Sequence, residues 1–435
     1  MATETKNVGE VDYTTSMTNE NAILVEIDSK IYRIKLSDLA TVIQSEGVVL
    51  SQIAWGIPIK QGVQSATNWG VVGNTALRDA YESKCGRYLV TNDGIAVKLA
   101  KTNMGDPAAG TVLCADGTTL NQSLGHIMVI APRLYYLWQV IDGLPYIWLS
   151  ESPISSRYLE TADGYMCQGA FPAYVRNGKL TSIMNVVPSN SLTISQFWNY
   201  AQANGKSWGL CDYDNCKKWN WLYSVGHYGN TNIQASLGNG LCGEGDNWAY
   251  ASTLTTGATS LLGDSFGKVN IGTGTNACHV NLGGIENSFG LRWETTQGAY
   301  FGSVNNSGQL GTEVFIYKGN RLPNSTELAT KPNGIYRQIT RTTTSDWIKS
   351  IIGGADFDVM PSTLGGSATE YLSDYTYQNN TGQLLLWGGS AYLGFYCGVA
   401  RSDGSTAFSS AFVDLGSRLA YYGKLIFKDG RELLV

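Results

Sequence analysis

Charged residues are scarce in this chain, and the signals of several common protein classes are missing. Asp, Glu, Lys and Arg make up 15% of the 435 residues, whereas an average soluble domain has about 25%. Basic residues form no run and the formal net charge is -5, so neither nucleic acid nor an anionic membrane is expected as a partner. No stretch of about 18 apolar residues is present, so no membrane insertion is expected.

Signals of export and of cysteine chemistry are absent as well. The first residues, MATETKNVGE, are polar and acidic and lack the apolar core of a signal peptide. The eight cysteines include no CxxC pair, and a chain of this length can bury its own core without disulfides. We therefore expect most of the cysteines to be buried thiols.

Glycine, in contrast, is abundant. The chain has 51 glycines, and with so little charge this composition indicates a loop-rich, β-containing protein of an extracellular or virion type. Its 435 residues exceed the usual size of one domain, which predicts two or three units.

The first 48 residues predict a small unit of their own. Residues 22–27 and 31–36 have the pattern of short strands and are joined by a hairpin signal. A short helix is predicted over 39–45. The unit is too small to be stable alone, so we expect it to pack against a partner or against a copy of itself in a homo-oligomer. A plain N-terminal subdomain is the alternative.

The next residues predict a second unit and then a larger one. Residues 49–125 mix short strands with a helix near 76–85, which indicates a connecting β-rich module. From His126 the sequence becomes rich in strands. Asp142-Gly143 and Asn177-Gly178 are the dipeptides typical of tight hairpin turns.

Two helices are predicted within the larger unit. Thr193 and Gln196 form a capping box at the start of a helix over 193–204. A second helix is predicted over about 213–228. The residues that follow, 229–310, are rich in Gly, Asn, Ser and Thr and predict a long irregular region.

The stretch 388–423 has an unusual composition. It reads GGSAYLGFYCGVARSDGSTAFSSAFVDLGSRLAYYG and contains no Glu, Lys, Gln, Met or Trp. Codons of the form NNC or NNT do not encode those five types, and an Asn codon with scrambled adenines can encode every residue present. Tyr, Ser, Gly and Arg are also the types that diversified binding loops use. A glycine-rich β-region that lacks the five types by chance is the simpler alternative.

The glycines and the end of this stretch resemble a known pattern. Gly388-Gly389, Gly394, Gly398 and the ending Leu415-Gly416-Ser417-Arg418-Leu419 resemble the variable region of target proteins of diversity-generating retroelements. The resemblance is closest to the C-type-lectin-fold receptor-binding proteins of bacteriophages and prophages. GGIENSFGLRWE at 283–294 is similar to the IENPFGNVWEW segment that these proteins share with formylglycine-generating enzymes.

The resemblance implies a fold and a domain organisation. The fold would be α+β, with a C-type lectin domain over 126–435 that has two helices and much irregular glycine-rich loop. Small β-rich assembly segments would precede it, with 1–48 as the attachment segment and 49–125 as the connecting module.

The resemblance also implies a function without catalysis. A phage or prophage receptor-binding protein would recognise a host-cell surface protein or glycan through the variable region 388–420. Its N-terminus would bind phage tail proteins, and it would be located on the virion tail or an extracellular surface. Export on a phage particle would need no signal peptide.

Individual residues receive roles by the same resemblance. The framework positions that hold the backbone would be Gly388, Gly389, Gly398, Gly416, Arg418 and Leu419. The variable positions that contact the ligand would be Tyr392, Leu393, Phe395, Tyr396, Arg401, Asp403, Ser405, Thr406, Phe412 and Asp414. Alternation along a strand predicts inward positions for Val399, Ala407, Ala411 and Val413.

Two other functions stay open. A bacterial surface adhesin could use the same fold, and a modifying enzyme of the formylglycine-generating type is the alternative of another class. Those enzymes use a cysteine pair near the C-terminus, where this chain has only Cys397. We therefore expect no enzyme, no catalytic residue and no cofactor.

A structural calcium ion is a further open alternative. Three acidic pairs could supply oxygen ligands, namely Glu244/Asp246, Asp356/Asp358 and Asp212/Asp214. None has an EF-hand pattern, and the third pair is better explained as a helix cap. The Glu-Pro-Asn and Gln-Pro-Asp triplets of calcium-dependent lectins are missing, so sugar binding would have to use aromatic stacking.

Overall fold

The chain contains both helices and many strands, which confirms the predicted α+β class. The computed structural model describes residues 22–27, 30–35, 50–59, 69–272, 276–301, 313–317, 319–324, 327, 336–340, 342–378 and 383–434. Across these ranges, no helix is both long enough and apolar enough to cross a bilayer. The helix predicted over 39–45 lies outside the described residues.

The strands of the first half of the chain are mostly short. They are β1 (Ala22–Ile27), β2 (Lys30–Lys35), β3 (Trp55–Pro58), β4 (Val72–Gly73), β5 (Gly86–Val90), β6 (Ile95–Lys98), β7 (Gly105–Asp106), β8 (Thr111–Leu113), β9 (Thr119–Asn121), β10 (His126–Pro132), β11 (Leu134–Ile141), β12 (Leu144–Ser150), β13 (Tyr158–Leu159), β14 (Tyr165–Gly169), β15 (Tyr174–Arg176), β16 (Lys179–Thr181) and β17 (Trp208–Leu210). β1 and β2 form the predicted N-terminal hairpin, with Ala22 opposite Lys35.

The second half of the chain adds the remaining strands. They are β18 (Gly267–Asn270), β19 (Cys278–Leu282), β20 (Ile285–Glu286), β21 (Trp293–Phe301), β22 (Glu313–Tyr317), β23 (Tyr336–Thr340), β24 (Asp346–Ile352), β25 (Asp358–Leu364), β26 (Tyr375–Gln378), β27 (Leu384–Trp387), β28 (Ser402–Thr406), β29 (Leu415–Gly416), β30 (Leu419–Tyr421) and β31 (Ile426–Lys428).

The helices are α1 (Leu50–Ile53), α2 (Thr75–Lys84), α3 (Ile194–Gln202), α4 (Lys218–Tyr228), α5 (Ile233–Leu237) and α6 (Trp248–Ala251). A π turn at Tyr213–Lys217 precedes α4, and short 3-10 turns lie at Gln122–Leu124, Gly240–Cys242, Ser260–Leu262, Gly394–Tyr396 and Gly430–Leu433.

Both helices predicted for the larger unit are confirmed, together with their caps. The Thr193 side chain accepts from Gln196 N and the Gln196 side chain accepts from Thr193 N, which is the predicted capping box. The Asp212 carboxylate caps the π turn that leads into α4. α4 ends at Gly229, which has a left-handed φ of +65°.

A seven-stranded sheet joins distant parts of the chain in the order β17-β30-β14-β10-β5-β6-β31. β5 pairs with β10, where Val90 lies opposite His126. The C-terminal strand β31 pairs in parallel with β6, where Phe427 lies opposite Ala96. The boundary predicted at residue 126 therefore falls between two hydrogen-bonded strands of one sheet, because β5 pairs with β10.

A second sheet has five strands in the order β13-β11-β12-β3-β4. Its β11–β12 hairpin closes at Asp142-Gly143, with φ of +50° and +81°. The β15–β16 hairpin closes at Asn177-Gly178 in the same way, with φ of +51° and +73°. Both tight turns predicted from these dipeptides are confirmed.

Of the strands in the stretch 388–423, β30 belongs to the seven-stranded sheet, and β28 and β29 belong to a nine-stranded sheet. Its order is β23-β22-β21-β27-β28-β26-β24-β25, with β29 paired to β21. β28 lies between β27 and β26, so both of its edges are hydrogen-bonded. Four of its five residues are buried. The strand is thus an interior element of the sheet and not a surface ribbon.

The core contains charged groups as well as apolar side chains. Trp221 is fully buried, and the Lys218 ammonium nearby lies 2.8 Å from Asp214 and 3.3 Å from Asp358. Arg337 pairs with the same two carboxylates. Buried charges are tolerated when they are paired in this way, so these four side chains tie α4 to the nine-stranded sheet.

Candidate functional site

The predicted framework glycines allow a tight reversal at the end of β27. Gly388 and Gly389 have φ of +87° and +85°, a conformation that residues with side chains rarely adopt. A Cβ atom on Gly389 would lie 2.7 Å from the Cys397 sulfur. The chain therefore turns back directly against Cys397.

A disulfide between Cys242 and Cys397 holds this turn against the glycine-rich loop. No sequence motif indicates this pairing, since 155 residues separate the two cysteines and neither belongs to a CxxC motif. The other six cysteines are free and buried, as predicted for most of the eight. The disulfide ties the 3-10 turn Gly394–Tyr396 to the 3-10 turn Gly240–Cys242.

The framework residue Arg418 connects the two sequence signatures. Its guanidinium donates from Nε to the Glu294 carboxylate at 2.8 Å and from Nη2 to the Glu286 carbonyl at 2.9 Å. Both acidic residues belong to the GGIENSFGLRWE segment, and Lys217 also pairs with Glu294. Burial raises the pKa of Glu294, but the two cations outweigh it and hold that pKa below its ordinary value. Leu419, the next framework residue, is fully buried.

Aromatic side chains of the stretch come to the surface on the turn after Gly389. Tyr392 is 42% exposed, Phe395 49% and Tyr396 37%. Tyr392 stacks on Trp248, with ring centres 4.8 Å apart. Tyr396 stacks on Trp347, with ring centres 5.5 Å apart.

Other rings complete this arrangement. Tyr375 contacts both Trp347 and Tyr396 edge-on, at 5.5 and 5.0 Å between ring centres, and Phe395 lies 4.6 Å from Tyr396. We name the six rings the ring surface: Trp248, Trp347, Tyr375, Tyr392, Phe395 and Tyr396. Its side chains come from α6, β24, β26 and the turn between β27 and β28, so the fold brings together four distant segments.

The structure separates the ten predicted ligand-contact residues into groups. Four are exposed, namely Tyr392, Phe395, Tyr396 and Phe412. Three are half-buried, namely Leu393, Ser405 and Asp414. The other three are buried, namely Arg401, Asp403 and Thr406.

The prediction that these positions face the solvent and contact a ligand is therefore wrong for the three buried residues. Arg401 precedes β28, and Asp403 and Thr406 lie within that interior strand, so neighbouring strands and rings cover them. The Arg401 guanidinium carbon lies 4.7 Å from the centre of the Tyr375 ring and 5.2 Å from that of Trp293. Burial lowers the pKa of Arg401 to about 10. This arginine supports a ring from behind and does not reach the solvent.

The predicted inward positions are only partly correct. Val399 is buried and Ala407 is half-buried, but Ala411 and Val413 are exposed. The strand ends at Thr406, and the residues after it form turns until β29. Alternation of side chains holds only within a strand, so it gives no guidance for 407–414.

Three residues of the ring surface were missed by the sequence argument. Trp248, Trp347 and Tyr375 lie outside the stretch 388–423, and no local motif marks them. An Asp one or two residues before the aromatic, as in Asp246-Asn247-Trp248, Asp346-Trp347 and Asp374-Tyr375, is the only sequence signal. The pairing of strands within the sheet determines which residues lie near them in space, and short-range sequence patterns do not predict that pairing.

The three acidic pairs considered for calcium have other contacts. Glu244 accepts from Asn276 Nδ2, Asp246 accepts from Trp248 N at 3.0 Å, and Asp212 caps the π turn before α4. Asp214 and Asp358 pair with Lys218 and Arg337, and Asp356 pairs with Arg157 at 3.0 Å. In the part of the chain that the structure describes, no group of three or more His, Cys, Asp or Glu side chains is arranged to hold a metal ion.

Buried Asp374 lies behind the turn. Its carboxylate accepts from Gln234 Nε2 at 3.1 Å, and the same amide also donates to the Cys397 carbonyl. Burial raises the pKa of Asp374 to about 7, against the hydrogen bonds from Ala400 N and Gln234. The carboxyl group thus helps to hold the backbone that connects the exposed rings to β28.

Comparison with known proteins adds no family assignment. No protein-family model matches this chain, and no curated protein matches it. The function of the chain is therefore inferred from the ring surface, the buried framework that positions it, and the composition of the stretch 388–423.

Proposed function

We propose that this chain is a receptor-binding protein of a phage or prophage, and that its ring surface recognises a molecule on the host cell. One observation carries the proposal: Tyr392, Phe395 and Tyr396 expose large rings on a turn whose backbone is held by a disulfide and buried framework residues. A cluster of exposed aromatic side chains on a fixed backbone is typical of a binding surface.

The division between framework and variable positions supports the same proposal. Arg418 and Leu419 are fully buried, whereas the four most exposed of the predicted contact residues are all aromatic. Diversification of the exposed positions would change ligand contacts while leaving the core intact. The diversity-generating mechanism itself is part of the proposal, and the residue composition of the stretch 388–423 supports it.

The proposed fold of the large unit is a C-type lectin fold of the branch that includes formylglycine-generating enzymes. The order of strands, two helices and a long irregular region before the final strands supports it. The GGIENSFGLRWE segment supports it too, because Glu294 contacts the framework residue Arg418. The variable region of this fold would extend over 388–420.

The N-terminal hairpin of β1 and β2 is proposed to belong to an attachment segment. In this proposal residues 1–48 bind phage tail proteins or a second copy of the chain, and the protein is located on the virion tail or an extracellular surface. The host partner is a surface protein or glycan, and no catalysis takes place.

Two alternatives make different predictions. A bacterial surface adhesin would use the same ring surface, so gene neighbourhood separates it from a phage protein. A reverse-transcriptase gene and a near-copy of codons 388–420 downstream would support the diversified phage protein. A formylglycine-generating type of enzyme would need a reachable cysteine pair, whereas Cys242 and Cys397 are both fully buried.

The experiment that tests the proposal is a double variant, Tyr392→Ala/Tyr396→Ala. Both side chains are anchors on the ring surface, and truncating such anchors typically costs about 2 kcal/mol or more of binding free energy. We expect adsorption to host cells to fall strongly while the melting temperature stays near that of the wild type. Loss of adsorption and folding together would assign these rings to the core and reject the binding role.

A matched control is the variant Tyr158→Ala. Tyr158 is 39% exposed, close to the exposure of Tyr392 and Tyr396, and it lies on β13, away from the stretch 388–423. Adsorption of this variant is expected to equal that of the wild type. Equal losses for the double variant and the control would contradict a localised binding surface.

A further inference from the structure

Acidic side chains lie at the edge of the ring surface. Glu244 and Asp246 are exposed on the loop that leads to Trp248, and Asp246 accepts a hydrogen bond from Trp248 N at 3.0 Å. Asp346 and Asp414 are half-buried at the edge of the rings. These four carboxyl groups form what we name the acidic rim.

Several contacts place the acidic rim against the rings. Desolvation raises the pKa of Tyr392, and the nearby carboxylates of Asp414 and Asp246 raise it further. A Cβ atom on Gly394 would lie 3.6 Å from the Glu244 carbonyl, so the Glu244 loop packs against the turn that carries Phe395. Asp346 precedes Trp347 on β24 and accepts from its backbone N–H at 2.8 Å.

The arginines of this region lie behind the rings and not beside them. The Arg292 guanidinium carbon is 4.9 Å from the centre of the Trp248 ring, and that of Arg401 is 4.7 Å from the centre of Tyr375. Arg292 is 4% exposed and Arg401 3% exposed, so neither offers its charge to a partner in solution. Lys349, half-exposed and two residues along β24 from Trp347, is a cation near the rim and lies 5.1 Å from the Tyr371 ring.

We propose that the ring surface docks a protein segment of the host surface that displays lysine or arginine side chains. This inference rests on the proposed function and adds the chemical class of the partner. Ring faces attract cations by about 0.5–2 kcal/mol each, and carboxyl groups at the rim favour the approach of a positive partner. A protein is favoured over a glycan because Tyr, Trp, Ser and Gly on fixed loops are among the residue types with which paratopes bind proteins.

The first test uses two charge variants of opposite sign. Glu244→Gln/Asp246→Asn removes two charges of the acidic rim and keeps the hydrogen-bond acceptors, so several-fold weaker adsorption to host cells is expected at about 0.1 M salt. Lys349→Gln removes a repulsive charge and should strengthen adsorption. Both effects should shrink at about 1 M salt, where the Debye length falls from about 10 Å to about 3 Å.

Asp142→Asn is the control for these charge variants. Asp142 is exposed in the β11–β12 turn, and asparagine also accepts its positive φ of +50°. Its adsorption should equal that of the wild type. If the rim variant adsorbs as well as this control, or if Lys349→Gln weakens adsorption, the inferred cationic partner is rejected.

The second test treats the host cells. Protease treatment, and the combined acetylation of surface amines and phenylglyoxal modification of surface guanidinium groups, should each abolish adsorption of the wild-type protein, whereas periodate oxidation of glycans should not. Loss after periodate alone would identify a glycan and overturn the inference.

The ring variant Tyr392→Ala/Tyr396→Ala distinguishes failure of the proposed binding function from failure of the cationic partner. If it loses adsorption while the rim variant does not, the binding function stands and the cationic partner fails. Unchanged adsorption of the ring variant rejects both.

Discussion

Arg418 and Glu294 form a buried ion pair, with 2.8 Å between the guanidinium Nε and the carboxylate Oε1. One residue comes from the end of the stretch that carries the exposed rings and the other from the GGIENSFGLRWE segment. Neither side chain reaches the solvent, and Lys217 supplies a second cation to Glu294. The pair therefore joins the base of the candidate binding stretch to the strand β21 of the nine-stranded sheet.

Arg418→Met should destabilise the protein by about 3 kcal/mol, because breaking a buried ion pair is costly and Glu294 keeps only one of its two cationic partners, Lys217. The change would also leave the carbonyls of Gly169 and Glu286 without their donor. Chemical unfolding of the variant measures the loss. Arg157→Met is the control, since Arg157 pairs with Asp356 where both side chains are more than a third exposed. Its effect should stay below about 1 kcal/mol, and equal losses would contradict the structural role of Arg418.

Removing the disulfide should lower both stability and binding. Cys242→Ala/Cys397→Ala is expected to cost about 2–4 kcal/mol of unfolding free energy, because the cross-link no longer restricts the unfolded chain. Adsorption to host cells should fall too, since the turn Gly394–Tyr396 loses its covalent link to the glycine-rich loop. Thermal unfolding with and without a reductant tests the first effect.

The free cysteine Cys278 provides the control for the disulfide. It is also fully buried, so Cys278→Ala removes a buried sulfur without removing a cross-link. This variant should keep the response of the wild type to reductant, whereas the double variant should lose it. A wild-type melting temperature that reductant does not change would show that the cross-link contributes nothing.

Asp374 should make stability depend on pH. Burial raises its pKa from the ordinary 3.8 to about 7 in the folded protein, so the folded state binds the proton more tightly than the unfolded chain does. The associated stability is fully present below about pH 4 and is lost as the pH rises through about 7. Asp374→Asn keeps an acceptor for Gln234 and removes the charge. The variant should therefore be more stable than the wild type above pH 7 and similar to it below pH 4.

The difference between the two melting curves over this pH range isolates Asp374 from the other titrating groups. Burial also lowers the pKa of His126 to about 3 and raises that of Asp212 to about 6, but both groups are present in both proteins. The exposed-site variant Asp142→Asn should follow the wild-type curve at every pH. A constant difference between Asp374→Asn and wild type would argue against a raised pKa.

Sequence alone determined the elements that depend on neighbouring residues. The capping box of Thr193 and Gln196, the helix stop at Gly229 and the tight turn at Asp142-Gly143 all lie where the residues predict them. Each depends on a preference that acts over a few residues, such as a side-chain cap or a positive φ. Trp221 and Trp293 are buried as well, since large indoles gain much free energy from leaving water.

Only the tertiary structure decided which side chains of the candidate site face the solvent. Arg401 and Asp403 look like ligand contacts in the sequence, but strand pairing places β28 in the interior of a sheet and buries them. Trp248 and Trp347 carry no motif, and they join the ring surface because α6 and β24 pack beside the turn. The pairing of Cys242 with Cys397 across 155 residues is likewise decided by the tertiary structure. Contacts between distant segments depend on how sheets and loops assemble, and no short-range pattern encodes that assembly.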